Sequence, residues 1–324
     1  MRCQIDVHTD ARARQERLEE DVRRGLTARR KSLPPKYFYD AAGSALFERI
    51  TDLPEYYLTR TENALLEEIA PRLIGNFLPD DVVEIGSGSS EKTRRILDVL
   101  DAQGRPVRYV PLDVDRVTLE SSAAELMREY PGLSVHGVVG DFERDLEHVP
   151  PSLGRRLVLF LGSTLGNLDP VARRALLAGV RRLLAGPEDR LLLGVDLVKD
   201  VKVLEAAYDD AAGVTEEFNR NILRVVNRGT DGDFDPDAFR HLAFYNAAAE
   251  RIEMHLVAAS RQKVHLARLG IGLAFPRGDT IWTESSYKFT RPGVEAMLDA
   301  AGLSLVEWWT DPARYFALML VAGA

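Results

Sequence analysis

The sequence predicts an α/β protein: a doubly wound, mostly parallel sheet carrying a second, inserted α+β domain. Three observations predict it. A β-branched run, Val82-Val83-Glu84-Ile85, ends in the turn Gly86-Ser87-Gly88 and leads into a helix over 92–100. Further short apolar runs at 107–112, 133–139, 157–161 and 191–196 are spaced by helical patterns at 117–130 and 172–184, the order of elements that builds a parallel sheet. One run, Leu157-Val158-Leu159-Phe160-Leu161, is apolar throughout, as a strand covered on both faces requires.

Composition bounds the rest. The chain has 324 residues, 45% hydrophobic and 28% charged, which fits a soluble globular protein with a substantial core in one large or two medium domains. A net charge of -8 and a pI near 5.4 argue against nucleic-acid or anionic-membrane partners. The single cysteine, Cys3, allows no internal disulfide and fits a reducing, cytoplasmic setting. No apolar run reaches membrane-spanning length, and the amino end is charged rather than signal-like. The histidines His8, His136, His148, His241, His255 and His265 show no zinc-like spacing, so no metal site is expected.

Taken in order, residues 11–30 are dense in Arg and Glu and predict a solvated helix. Pro34-Pro35 then stops the helix and holds an extended segment. The stretch 41–51 predicts a short amphipathic helix, and 63–73 a helix leading to the first strand of the sheet. Tyr37, Phe38 and Tyr39 follow these prolines closely, and Tyr56 and Tyr57 follow Pro54; aromatic rings with a polar tip suit either a ligand rim or packing on a neighbouring domain. After 196 the alternation breaks. Residues 197–287 predict a helical part over 199–223 with Tyr208 and Phe218, and a Gly/Asp-rich loop over 227–236. A short helix with Tyr245 is expected next, then extended segments over 249–261 and 278–287. Pro292 opens a helix that ends before Gly302, and apolar strands at 305–309 and 315–321 close the sheet. The expected division is 1–60 with 197–287 as a substrate-binding domain, and 61–196 with 288–324 as the core.

Ligands of such sheets bind beyond the carboxyl ends of the strands, and Gly86, Asp113, Asp141 and Gly162 all fall there. The pattern Glu84-x-Gly86-x-Gly88 has Glu91 where a dinucleotide fingerprint wants its third glycine, and it lacks the Gly-Lys-Ser/Thr of a phosphate loop. Asp113 ends the second strand, where a carboxylate can accept from both ribose hydroxyls. Asp141 beside Phe142 suits an adenine: the acid accepts from the amine and the ring stacks. Gly162-Ser163-Thr164-Leu165-Gly166-Asn167 nearly matches a hydrolase nucleophile elbow, but its central residue is Thr164 and the serine is displaced. Asn167 can donate to an amino-acid carboxylate. In an extended Trp282-Thr283-Glu284-Ser285-Ser286-Tyr287, Glu284 and Ser286 point the same way. They could grip both nitrogens of an imidazole, or form a solvent-facing polar strip.

The glycine turn looks like the first motif of class I, Rossmann-like S-adenosylmethionine (SAM)-dependent methyltransferases. The set KYFYDAAGSALFERIT, LPEYYLTRTE, EIGSGSSEKT, FLGSTLGNL, AYDDAAGVTEEFNRN and WTESSYKF, spread over nearly the whole chain, resembles the histidine-specific methyltransferases. The resemblance implies transfer of three methyl groups from SAM to the α-amine of L-histidine, giving hercynine and S-adenosylhomocysteine (SAH), in the first step of ergothioneine biosynthesis. It implies that Gly86, Gly88 and Lys92 meet the methionine end of the donor, Asp113 the ribose, and Asp141 with Phe142 the adenine. Tyr56 and Tyr39 would lie near the α-amine, Asn167 and Tyr208 would hold the carboxylate, and Gly162 would line the site. Tyr56, Asn167 and Tyr208 are thereby the expected catalytic residues. Phe218 would pack on the ligand, Met254 would sit against the imidazole, and Glu284 with Ser286 would read it. The expected partners are small molecules, with a monomeric chain. An Nα-methyltransferase for another amino acid and a non-catalytic binding protein on the same scaffold are the alternatives.

Overall fold

A computed structural model describes residues 2–324, the side chain of Ala11 excepted. The chain divides into two compact units. One comprises the residues up to Thr9 with Leu58–Val198 and Phe289–Ala324; the other comprises Asp10–Tyr57 and Lys199–Lys288.

Among the described residues the first unit is built on an eight-stranded sheet. Its order is Cys3–Val7, Leu133–Val139, Val107–Asp113, Asp81–Ile85, Arg156–Phe160, Arg190–Asp196, Phe316–Gly323 and Leu303–Thr310. The first six strands run parallel, and Phe316–Gly323 runs antiparallel to both its neighbours. Strand order reverses between Asp81–Ile85 and Arg156–Phe160, which opens the ligand crevice of a doubly wound sheet at their carboxyl ends. The helices that cover the sheet begin where aspartates stop the preceding loop: Asp115 caps Arg116–Glu129 and Asp169 caps Pro170–Leu183, each accepting two backbone N–H groups. Leu66, Ile74, Val82, Ile96, Leu157 and Leu159 are fully buried in the core, each contributing about 1.5–3 kcal/mol by leaving water.

At the opposite, amino ends of the strands lies a buried ion cluster. The Asp81 carboxylate, fully buried, accepts from Arg108 Nε at 2.6 Å and Arg156 Nε at 2.8 Å. It ties three adjacent parallel strands together. Asp81→Ala leaves two guanidinium groups without their acceptor and is expected to cost about 3–5 kcal/mol of stability. Denaturant unfolding measures that loss, and an unchanged midpoint would remove the cluster from the account of the fold. Ligand binding at the carboxyl ends of the strands should not change in the folded variant, because the cluster is at the far end of the sheet.

The second unit carries a four-stranded sheet in the order Lys31–Ser32, Thr280–Tyr287, Arg251–Ala258, Phe239–Asn246, antiparallel except for the short first pair. The hairpin Gln262–Leu266/Ile271–Phe275 and the helices Ala11–Thr27, Ala41–Thr51, Val201–Ala206 and Val214–Thr230 complete it.

Several expectations need correction. Residues 1–60 do not all join the inserted part: Cys3–Val7 pairs with Leu133–Val139 at the edge of the large sheet. Tyr245 lies in the strand Phe239–Asn246, not in a helix. The alanines at 247–249 are helix formers in isolation, but here they make the turn to the next strand, with Glu250 at φ +49°. The helical part over 199–223 is two helices. The second runs on to Thr230, through Gly229. That glycine marks close packing rather than a loop, because a Cβ there would come 2.0 Å from Leu18 Cδ2. The hairpin over 262–275 was not expected at all.

Candidate active site

The glycine turn after Asp81–Ile85 takes the conformation its composition demands. Gly86 has φ +70° and Gly88 φ +49°, a region that side chains rarely enter. A Cβ on Gly88 would meet nothing within 4 Å, and one on Gly86 would touch only the Phe142 ring at 3.8 Å. The turn therefore presents bare backbone to an open face, with Phe142 as its neighbour. Asp113 locks it: Oδ2 accepts from the Gly88 N–H at 2.8 Å and Oδ1 from the Asp115 N–H at 2.9 Å. Burial raises the Asp113 carboxyl above the usual carboxylate range, while these amides hold it down. Beneath the turn, buried Glu84 accepts from the Tyr109 hydroxyl, which also bonds Ser90 at 2.8 Å. Burial pushes the Glu84 carboxyl up to about 7, against the pull of Tyr109, Thr93 and the charge on Lys92.

Two further segments of this unit matter. Asp141 opens a turn in which Oδ1 accepts from the Glu143 N–H at 3.1 Å, and Phe142 packs edge-on to Phe160 with ring centres 5.7 Å apart. Gly162 (φ +75°) and Ser163 (φ +56°) make the turn after Arg156–Phe160, and Asn167 ends the short 3-10 helix Thr164–Asn167. Ser163 is buried, and its hydroxyl accepts from the Asp196 N–H at 2.9 Å, so it braces the turn. The Gly162 N–H in turn donates to Glu62, a fully buried carboxylate that also pairs with Lys92.

In the second unit most of the expected acceptor residues come together. Tyr39 packs edge-on to Phe47 and Phe218, each at 5.5 Å between ring centres. Phe47 faces Tyr56 at 6.1 Å, and Tyr56 faces Tyr208 at 6.3 Å. The Tyr208 hydroxyl lies 2.8 Å from Ser286 Oγ, and buried Lys288 Nζ donates to Tyr208 at 2.9 Å and to Ser286 at 2.8 Å. Glu284 sits two residues before Ser286 on the same face of Thr280–Tyr287, and Met254 is its cross-strand partner. Side chains directly opposite in an antiparallel pair are neighbours on one face of the sheet, so the apolar Met254 is the cross-strand neighbour of Glu284, just past an irregularity in the pairing between Trp282 and Glu284. Desolvation pushes the Glu284 carboxyl up to about 7, with Lys288 pulling the other way. His241 supports the cluster from behind, one ring nitrogen 2.8 Å from the Tyr208 carbonyl and the other 2.8 Å from Asn219.

Gly86, Gly88, Lys92, Asp113, Asp141, Phe142, Gly162 and Asn167 thus all lie at carboxyl ends of the parallel strands. Tyr39, Tyr56, Tyr208, Phe218, Met254, Glu284 and Ser286 belong to the second unit. Three participants were missed. Phe47 looked like ordinary helix packing. Lys288 continues the period of two that marks Glu284 and Ser286, and that alternation could have found it. Glu62 sits at the helix spacing of Leu58, Leu65, Leu66 and Ile69; a carboxylate on an apolar face is the signal that was available. Among the described residues no three His, Cys, Asp or Glu side chains group as metal ligands, and no helix is long and apolar enough to cross a membrane.

Residues 18–323 match the profile of the SAM-dependent histidine-specific methyltransferase family. The chain is 52% identical to the histidine N-alpha-methyltransferase of Mycolicibacterium smegmatis, over 94% of both chains. It is 48% identical to that of Mycobacterium tuberculosis, over 99% of this chain and 100% of the relative. With ergothioneine biosynthesis protein 1 of Neurospora crassa it shares 31% identity over 88% of its own length and 32% of the fungal protein's.

Proposed function

Because the chain belongs to the SAM-dependent histidine-specific methyltransferase family, we propose that it methylates the α-amine of L-histidine three times, giving hercynine for ergothioneine biosynthesis. The observation that carries the choice of substrate is Glu284, a desolvated carboxyl whose cross-strand partner is Met254 and which shares one strand face with Ser286. A desolvated acid and a hydroxyl can bond the two nitrogens of an imidazole, and an aliphatic side chain leaves them without partners.

The donor turn fits the group it would hold. Gly86 and Gly88 expose backbone where a side chain would stand, and Lys92 follows to meet the methionine end. Asp113 offers a carboxylate to the ribose, and Asp141 with Phe142 receives the adenine. When bound, SAM supplies an electrophilic methyl: the amine lone pair forms the N–C bond as the C–S bond breaks, and sulfur keeps the electron pair as neutral SAH. The protein's own task is positioning. The Asn167 amide and the Tyr208 hydroxyl hold the α-carboxylate, with Gly162 lining the site. Tyr56 and Tyr39 face the amine. Phe47 and Phe218 wall the aromatic cluster against water. Glu284 and Ser286 fix the ring. The amine must be neutral before each transfer, so a proton leaves to water each time. A cytoplasmic, monomeric chain is part of this reading; Cys3 stands alone, and no internal disulfide can form.

The test is mass spectrometry of the purified protein incubated with SAM and a mixture of the common amino acids. Histidine heavier by three methyl groups is the expected product. Methylation of another amino acid would overturn the assignment of Glu284 and Ser286. No product, with SAM binding intact by calorimetry, would favour the non-catalytic alternative.

A further inference from the structure

The proposed reaction does not explain the presence of Glu62 in the donor region. It lies on the helix Tyr57–Phe77 and is fully buried. The Gly162 N–H reaches both of its oxygens at 2.9 Å, and its second partner is the Lys92 ammonium. Space is reserved for it as well: a Cβ on Gly194 would come 2.2 Å from Glu62 Oε1 and 3.2 Å from the Phe316 ring. Burying a carboxylate carries a desolvation cost, and a buried ion pair is often no more stable than apolar residues of the same volume. Stability alone therefore gives no reason for an acid at this position.

Charge gives one. Lys92 is a unit positive charge at the end of the turn assigned to the methionine part of the donor. That part bears a carboxylate, an ammonium and, before transfer only, a cationic sulfonium. A bare lysine would attract the carboxylate and repel the sulfonium. Paired with Glu62, the two side chains sum to zero charge, while Lys92 keeps N–H donors beyond the one given to Glu62. Resting on the function proposed above, we infer that Glu62 is a positioning residue of the donor site. It fixes Lys92 and the Gly162 turn, and its negative charge lets the site hold a sulfonium as readily as the neutral thioether product.

The inference is tested by calorimetric binding of SAM and of SAH to the full chain. Glu62→Gln keeps the shape and removes the charge. It should raise the ratio of the SAM Kd to the SAH Kd by about tenfold, the effect of one unit charge at moderate distance in a medium between protein and water. Glu62→Asp keeps the charge and shortens the reach, so both Kd values rise while their ratio stays near that of the unaltered chain. Lys92→Met removes the opposite charge and should move the ratio the other way, which supplies an answer even if Glu62→Gln fails to fold. Equal weakening of both ligands in Glu62→Gln, or an unmoved ratio in Lys92→Met, would reduce Glu62 to a structural residue and overturn the inference. An unaltered chain that binds neither ligand would instead overturn the donor-site reading on which it rests.

Discussion

Replacing Glu284 with alanine is expected to lower kcat/KM for histidine by about 30- to 1000-fold, the effect of roughly 2–4 kcal/mol when a buried polar partner is removed and the group facing it is left unpaired. An imidazole N–H would then face Met254 with no acceptor. Leucine, which never used that acceptor, loses nothing by the change, so the preference for histidine over leucine should collapse by a similar factor. An unchanged preference would remove Glu284 from the recognition of the ring. The acid also predicts a pH dependence. Its carboxyl is pushed up to about 7 by desolvation, with Lys288 opposing. Below that pH the group is protonated, and above it the carboxylate offers acceptors to a ring N–H. The profile of kcat/KM for histidine should therefore rise through about pH 7. Glu284→Gln cannot titrate and should lose that step, while keeping the rise that belongs to the substrate's own amine. A step at the same pH in Glu284→Gln would assign it to another group.

Asp113→Ala is expected to weaken SAM binding by about 100-fold or more, since two charge-assisted hydrogen bonds of about 1.5 kcal/mol or more each are at stake. Asp113 is bound to the backbone of the turn it serves, through the Gly88 and Asp115 amides. Removing it frees a glycine turn that has every conformational reason to move, and takes away the acceptor proposed for the ribose. Titration calorimetry gives the answer directly. A Kd for SAM within threefold of the unaltered protein would mean that the turn holds its shape alone and that the ribose is bound elsewhere.

The residues expected to hold the donor could be picked out because each belongs to a signal local in the chain. A β-branched strand, two glycines and the acid at the end of the next strand are each a local signal, and the topology of a parallel sheet places all such ends on one edge. Glu284 and Ser286 were readable for a similar reason, since strand periodicity alone puts them on one face. The same periodicity contained Lys288, but a lysine two residues further on reads as surface until burial is known. The misplaced helix around Tyr245 shows the limit of local propensity: three alanines favour helix, and the pairing of Phe239–Asn246 with Arg251–Ala258 outweighs them.

By itself the sequence determined the class of fold and the alternation of strands and helices between Val82 and Asp196, because hydrophobic period, glycine turns and acidic strand ends act over a few residues. Tertiary structure alone decided which polar groups are partners. Glu62 meets Gly162 across 100 positions, Tyr208 meets Ser286 across 78, and Asp81 meets Arg156 across 75. The physical reason is burial. A carboxylate, a hydroxyl or an ammonium shut off from water must find a partner wherever the fold supplies one, and distance along the chain does not limit where that partner comes from.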